Sequence, residues 1–235
     1  MKKILLLLFI SSLGYGQMTA KEYSIRGWSK FELKDYIGAI LDYNKAIELD
    51  PEEGVYYWYR GSNKNLLRDY RGAVIDLNKA IEVNPEDAYY YYYRGPIKHM
   101  LKDYKGAILD LNKAIELDPE GVFFFFHRYR GQSKHMLEDY KGAILDFTKG
   151  IELDPGDSDN YKGRASSKAQ LGDYRGAIQD YNKTIELDPG SSSNYRNRGL
   201  SKIDLGDKEG GCLDFSKAGE LGSETAYDLI KQYCN

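Results

Sequence analysis

Residue types that build metal centres and nucleophilic sites are scarce in this 235-residue chain, which has three histidines and two cysteines. The cysteines, Cys212 and Cys234, lie 22 residues apart near the C-terminus and lack the paired spacing of a zinc site. The sequence contains no HExxH, no nucleophile elbow and no phosphate-binding glycine loop, so the usual routes to hydrolysis and nucleotide chemistry are closed. Positive charge is not in excess either. Lys and Arg number 33 against 36 Asp and Glu, which argues against nucleic acid as a partner, because phosphate contacts need a basic surface. Long apolar runs are absent except at the start, where Met1, Lys2 and Lys3 precede an apolar stretch through Leu13. That stretch is too short for a permanent anchor, and with small Gly14 and Gly16 behind it the pattern is that of a secretory signal. The expectation is export to the periplasm or beyond, with residues 1–16 removed and no stable membrane anchor left. A buried first helix is the alternative. Without Lys2 and Lys3, 31 of the 33 basic residues remain against 36 acidic ones, a formal charge of −5.

What the chain has in abundance is repetition. The phrase at residues 34–52, from Lys34-Asp35-Tyr36 to Asp50-Pro51-Glu52, returns almost letter for letter at 102–120. Its aspartate recurs at Asp35, Asp69, Asp103, Asp139 and Asp173, with Asp207 as a worn sixth copy, in steps of 34, 34, 36, 34 and 34 residues. A period in this range specifies stacked helical units. Each unit reads as two helices, for example from Tyr56 to Leu67 and from Tyr70 to Val83. The repeated aspartate stands at the N-cap of the second helix, and Pro51, Pro85, Pro119, Pro155 and Pro189 close the units. Ala39, Ile40, Tyr43, Ala46 and Ile47 form one apolar stripe at helical spacing.

These features, with Gly27, Ala39, Tyr43, Ala46 and Pro51 in the first unit and Gly61, Ala73, Ala80 and Pro85 in the second, resemble the tetratricopeptide repeat family. The resemblance covers residues 17 to 222. It implies an all-α chain, a right-handed α-solenoid of helix-turn-helix units at about 20–53, 54–87, 88–121, 122–157, 158–191 and 192–222, followed by a capping helix within 223–235. The chain departs from the family pattern around the glycine, where arginine and lysine replace apolar residues. Arg26, Arg60, Arg94, Arg130, Arg164 and Arg198 then need partners, and the aspartates of the second helices, Asp42, Asp76, Asp110, Asp146, Asp180 and Asp214, are expected to supply them. A guanidinium fork suits a carboxylate. Residues that recur in every unit are read as scaffold.

The resemblance also implies that recognition falls on the concave face of the first helices, at positions that differ between units. Mapped here, those are Trp58 and Asn65, then Tyr89, Tyr92 and His99, then Phe125, Arg128 and His135. Aromatic residues and arginine are the usual anchors of protein interfaces. The five tyrosines at 89–93 and the four phenylalanines at 123–126 cannot all be buried on one helix face. They read either as packing or as a surface for an extended peptide or a partner helix. His99 and His135 occupy equivalent positions in neighbouring units, about one helix-packing distance of 10 Å apart, too far to share a metal. The expectation is a non-catalytic adaptor without cofactor or metal that binds a protein or peptide segment. The alternative is a structural subunit of an envelope or secreted assembly, self-associating or docking through aromatic surface. Counting outward from the turn near Leu221 and Gly222, Cys212 and Cys234 meet if the last two helices are antiparallel. A bridge there would add about 3 kcal/mol; two free thiols are the alternative.

Overall fold

The computed structural model describes residues 18–119 and 125–234. The expected leader, together with Phe123, Phe124 and the first part of the lengthened stretch after Pro119, lies outside these. Among the described residues there are thirteen helices and no strands. One body ends at Leu101 and contains α1 (Ala20–Glu32), α2 (Tyr36–Leu49), α3 (Gly54–Leu66), α4 (Tyr70–Val83) and α5 (Ala88–Met100). A second begins at Lys102. It contains α6 (Tyr104–Leu117), α7 (Phe125–Met136), α8 (Tyr140–Leu153), α9 (Ser158–Gln170), α10 (Tyr174–Leu187), α11 (Ser192–Leu205), α12 (Lys208–Glu220) and α13 (Ala226–Tyr233). Within each body, helices pair in the order of the chain, as in tetratricopeptide solenoids.

The local chemistry explains the boundaries. Asp35 accepts from the Gly38 N–H at 2.9 Å, and Asp69, Asp103, Asp139, Asp173 and Asp207 do the same three residues on. Each such cap is worth about 1 kcal/mol. The helix α3 starts at Gly54, two residues before the position that the tyrosine pattern marked, because Glu53 already caps it by accepting from the Val55 N–H. The turn from the first to the second helix of a pair requires one left-handed residue. Lys34, Arg68, Lys102 and Glu138 adopt it with φ of 62–64°, whereas Gly172 and Gly206 fill the same place elsewhere.

The cores form where small residues let helices approach. Ala39, Ala73, Ala107, Ala143 and Ala177 are fully buried in the second helices. Successive pairs then interlock through size. Tyr59 of α3 stacks on Tyr43 of α2, ring centroids 5.3 Å apart and planes within 20°. The same place in α9 is Gly163, because a Cβ there would collide with the Phe147 ring of α8. Gly150 of α8 likewise leaves room for the buried Asn160 side chain of α9. The last helix, α13, covers eight residues and begins only at Ala226, since the Ser223 N–H turns back to the Ala218 carbonyl at 2.9 Å before it.

Candidate functional site

The charged residues nearest the repeat glycines are bound inward. In the first body, Arg26 holds Asp42 through Nε at 2.9 Å and Nη2 at 2.5 Å, and Arg60 holds Asp76 at 3.0 and 2.6 Å. In the second, Arg130, Arg164 and Arg198 grip Asp146, Asp180 and Asp214 in the same two-pronged way. A lysine one turn after each arginine reaches the same carboxylate, for example Lys64 on Asp76 at 2.8 Å and Lys134 on Asp146 at 2.8 Å. Arg94 belongs to one body and Asp110 to the other, and their pairing stays an expectation.

The remaining arm of each guanidinium is where the sequence reading falls short. Nη1 of Arg60 donates to Asn44 Oδ1 at 2.7 Å, one helix pair back. Arg94 reaches Asn78, Arg130 reaches Asn112, Arg198 reaches Asn182, and Arg164 reaches the Thr148 hydroxyl at 3.2 Å. The arginine therefore ties a pair together and also ties it to its predecessor. The tyrosines three residues earlier lie under several of these cations, as with Tyr57 under Arg60 at 5.7 Å. Where the tyrosine becomes His127, its Nδ1 lies 3.6 Å from Asp146. Burial raises the Asp146 pKa, but His127, Arg130 and Lys134 outweigh it and hold the carboxyl at about 2.

A continuous aromatic run crosses the first body. Ring centroids step from Phe31 to Trp28 (5.2 Å), to Tyr59 (5.6 Å), to Trp58 (4.7 Å), to Tyr93 (5.2 Å) and to Tyr92 (5.0 Å), across α1, α3 and α5. Trp58 is half-buried and packs against two core clusters, one with Tyr57, Ala80 and Tyr90, the other with Ala73, Leu77 and Ile97. Its indole N–H is shielded and has no hydrogen-bond partner among the described residues. The exposed members of this face are Trp28, at 45% of its surface, and Tyr89, at 46%. Leu66 and Met100 are exposed at the ends of α3 and α5. Asn65 and His99 are half-buried beside them. Burial lowers the His99 pKa.

The candidate residues of the second body are differently placed. Arg128 forms ion pairs with Asp157 at 3.1 Å and Asp159 at 3.5 Å, and its guanidinium lies over Phe125 and Tyr129. His135 Nδ1 lies 2.9 Å from Ser167 Oγ, and burial lowers its pKa. Both join α7 to α9, so their polar groups are engaged within the array. Cys212 and Cys234 form a disulfide that fastens α13 to α12. No group of three His, Cys, Asp or Glu among the described residues could hold a metal ion, and no described helix is long and apolar enough to cross a membrane.

Trp28, which directly follows the repeat glycine Gly27, is not among the recognition residues expected from the sequence. Tyr59 and Tyr93 were missing because they sit one position off the family's groove; their rings are large enough to enter the face anyway.

Family models described as tetratricopeptide repeat match residues 23–53, 67–122 and 163–191. A comparison with curated protein sequences finds no match. Among solved structures, YrrB, described as a tetratricopeptide repeat protein with an unusual peptide-binding site, is similar with a TM-score of 0.71 at 21% identity, over 81% of this chain and 97% of its own. PilW, described as a widely conserved type IV pilus biogenesis factor, has a TM-score of 0.75 at 14% identity, over 92% and 100%. A tetratricopeptide repeat protein from Parabacteroides merdae has 0.61 at 24%, over 92% and 84%. At these identities the likeness is one of fold. With repeats found in the sequence by family models and the same fold in the structure, the chain is a tetratricopeptide repeat protein.

Proposed function

We propose that the protein is an exported, non-catalytic adaptor that holds an apolar or aromatic segment of another protein on the aromatic face of its first body. The observation that carries this reading is the ring-to-ring run from Phe31 to Tyr92, which leaves Trp28 and Tyr89 about half exposed at its margins. Aromatic anchors of this kind supply large contact area at little entropic cost, and a central few carry most of an interface's free energy. The rings that make up the run, from Phe31 to Tyr92, carry no formal charge. An anionic occupant would therefore lose hydration without compensation. The described peptide-binding site of YrrB agrees with such a role for the fold. Export rests on the leader pattern at 1–16 and on a disulfide, which persists in oxidising compartments.

The chain's two tryptophans, Trp28 and Trp58, both belong to this face, so binding there must alter intrinsic fluorescence. The test is affinity purification of the tagged chain from its own cell envelope, repeated with Trp28→Ala and Tyr89→Ala. Each exposed anchor should weaken retention about 30-fold, as expected for a hot-spot residue worth about 2 kcal/mol. Retention at wild-type level, with unchanged helicity, removes this face from consideration.

A further inference from the structure

The arginine ties that join successive helix pairs stop at the two ends of the chain, and the ends are complementary. At the first end, no helix pair precedes Arg26 among the described residues. Its Nη1 lies 3.4 Å from Met18 Sδ, and its side chain is 48% exposed, against 19% for Arg60. Beside it Ile25, which occupies the place where Tyr59 covers Tyr43, is 58% exposed. Glu22 does not obstruct this edge, because its carboxylate is folded back onto the Thr19 N–H and hydroxyl.

At the last end, Phe215 stands in the place of Tyr43, and Ser216 in the place of Asn44. A hydroxyl serves there, since Arg164 already uses Thr148. Ser216 spends its proton on the Cys212 carbonyl at 3.0 Å and keeps its lone pairs. Ser216 is exposed, and α13 covers Phe215. The cover is slight: a helix of eight residues, with Ala226 as its buried residue and the Tyr233 ring 6.2 Å from that of Phe215. A helix this short is not stable by itself. The Cys212–Cys234 bond is what fixes it, and the bond borders an open hollow of about 460 Å³, lined also by Lys208, Glu209, Leu213 and Ser216.

We propose that this disulfide is a reducible latch over a self-association surface. A dithiol reductant enters the hollow and gives two electrons and two protons. The S–S bond breaks to two thiols, and the dithiol leaves as its own disulfide. With α13 released, Phe215 and Ser216 accept α1 of a second copy, Ile25 against the ring and Arg26 Nη1 on the hydroxyl. The contact is head-to-tail, so it propagates into rows rather than closing as a symmetric pair.

Sedimentation velocity across a concentration series tests this with the full chain purified after export. The oxidised chain should sediment as a monomer. The chain reduced with dithiothreitol, and separately C212S/C234S without reductant, should form dimers and longer rows as concentration rises. Adding Ile25→Lys, an exposed change that places a charge against Phe215, should weaken that association at least tenfold. The proposal is overturned by a reduced chain that stays monomeric, by an oxidised chain that associates equally, or by association indifferent to Ile25→Lys.

Discussion

Replacing Asp76 with asparagine should cost markedly more stability than the same change at Asp42, although the two carboxylates have almost the same partners at almost the same distances. Asp76 meets Arg60 at 2.6 Å and Lys64 at 2.8 Å; Asp42 meets Arg26 at 2.5 Å and Lys30 at 2.9 Å. Both carboxylates are buried, and the substitution keeps their shape. What differs is the fate of the cations left behind. Removing one member of a buried ion pair typically costs 3–5 kcal/mol, because the other is stranded. Arg60 and Lys64 keep about a fifth of their side chains in water, and Arg60 is also fixed by Asn44, so they recover little hydration. About 3 kcal/mol is expected. Arg26 is half exposed and has no asparagine holding it, so it can turn outward, and about 1–2 kcal/mol is expected at Asp42. Stacked repeats need not unfold in one step, so urea titration should be read locally, by hydrogen exchange of the amides of α1–α2 and α3–α4. Equal losses at the two sites, or a larger one at Asp42, would show that pair distance rather than cation burial sets the cost.

Other substitutions probe different parts of the design. Arg68→Gly should raise stability by about 0.5–1 kcal/mol, measured by urea midpoint, because φ of 62° strains a side-chain-bearing residue where Gly172 sits without strain; a lower midpoint contradicts this. Gly163→Ala should cost about 1–3 kcal/mol through overlap with Phe147, and Phe147→Leu, the residue type found at 77 and 111, should restore most of it in a double-mutant cycle. Asp146 has a folded pKa of about 2, below the unfolded value near 3.9, so its contribution is complete above pH of about 4. The unfolded chain binds the proton first on acidification, and about 2 kcal/mol should be lost as pH falls through 2; Asp146→Asn should flatten that part of the thermal-stability profile.

The architecture was legible in the sequence because its signals are local. A cap at Asp35 serves Gly38, a proline at 51 ends its own unit, and the 34-residue step is visible without any knowledge of contacts. The signals that were lost connect one repeat to the next. Asn44 read by itself is a polar residue on a helix surface, and nothing nearby reveals that Arg60 comes down on it from the following pair. Arg128 and His135 fit the family's groove by register, yet Asp157 and Ser167, the groups that engage them, lie about thirty residues on. Trp58 fits the family's groove by register, yet its half-buried position depends on Tyr59 beside it and on Tyr90 and Tyr93 about thirty residues on.

That loss changes what variation between repeats means. A position that differs from copy to copy is the natural place to look for recognition, since scaffold should be constant. Here several variable positions are paired with each other instead: Tyr43 with Tyr59, Phe147 with Gly163, Gly150 with Asn160. Phe147 is matched by a small residue in the next helix, Gly150 makes room for a larger one, and Tyr43 and Tyr59 stack ring on ring, so each junction accepts its own neighbour and resists a shifted one. Their variation encodes register, and it would persist in a protein that bound nothing. The positions left for a partner are therefore those that vary and also stay exposed. In the first body, Ile25, Trp28, Leu66, Tyr89 and Met100 are among those that meet both conditions, and Trp28 belongs to the aromatic run. Ligand contacts should concentrate there, and exchanging the junction pairs together should alter stability without altering what the protein binds.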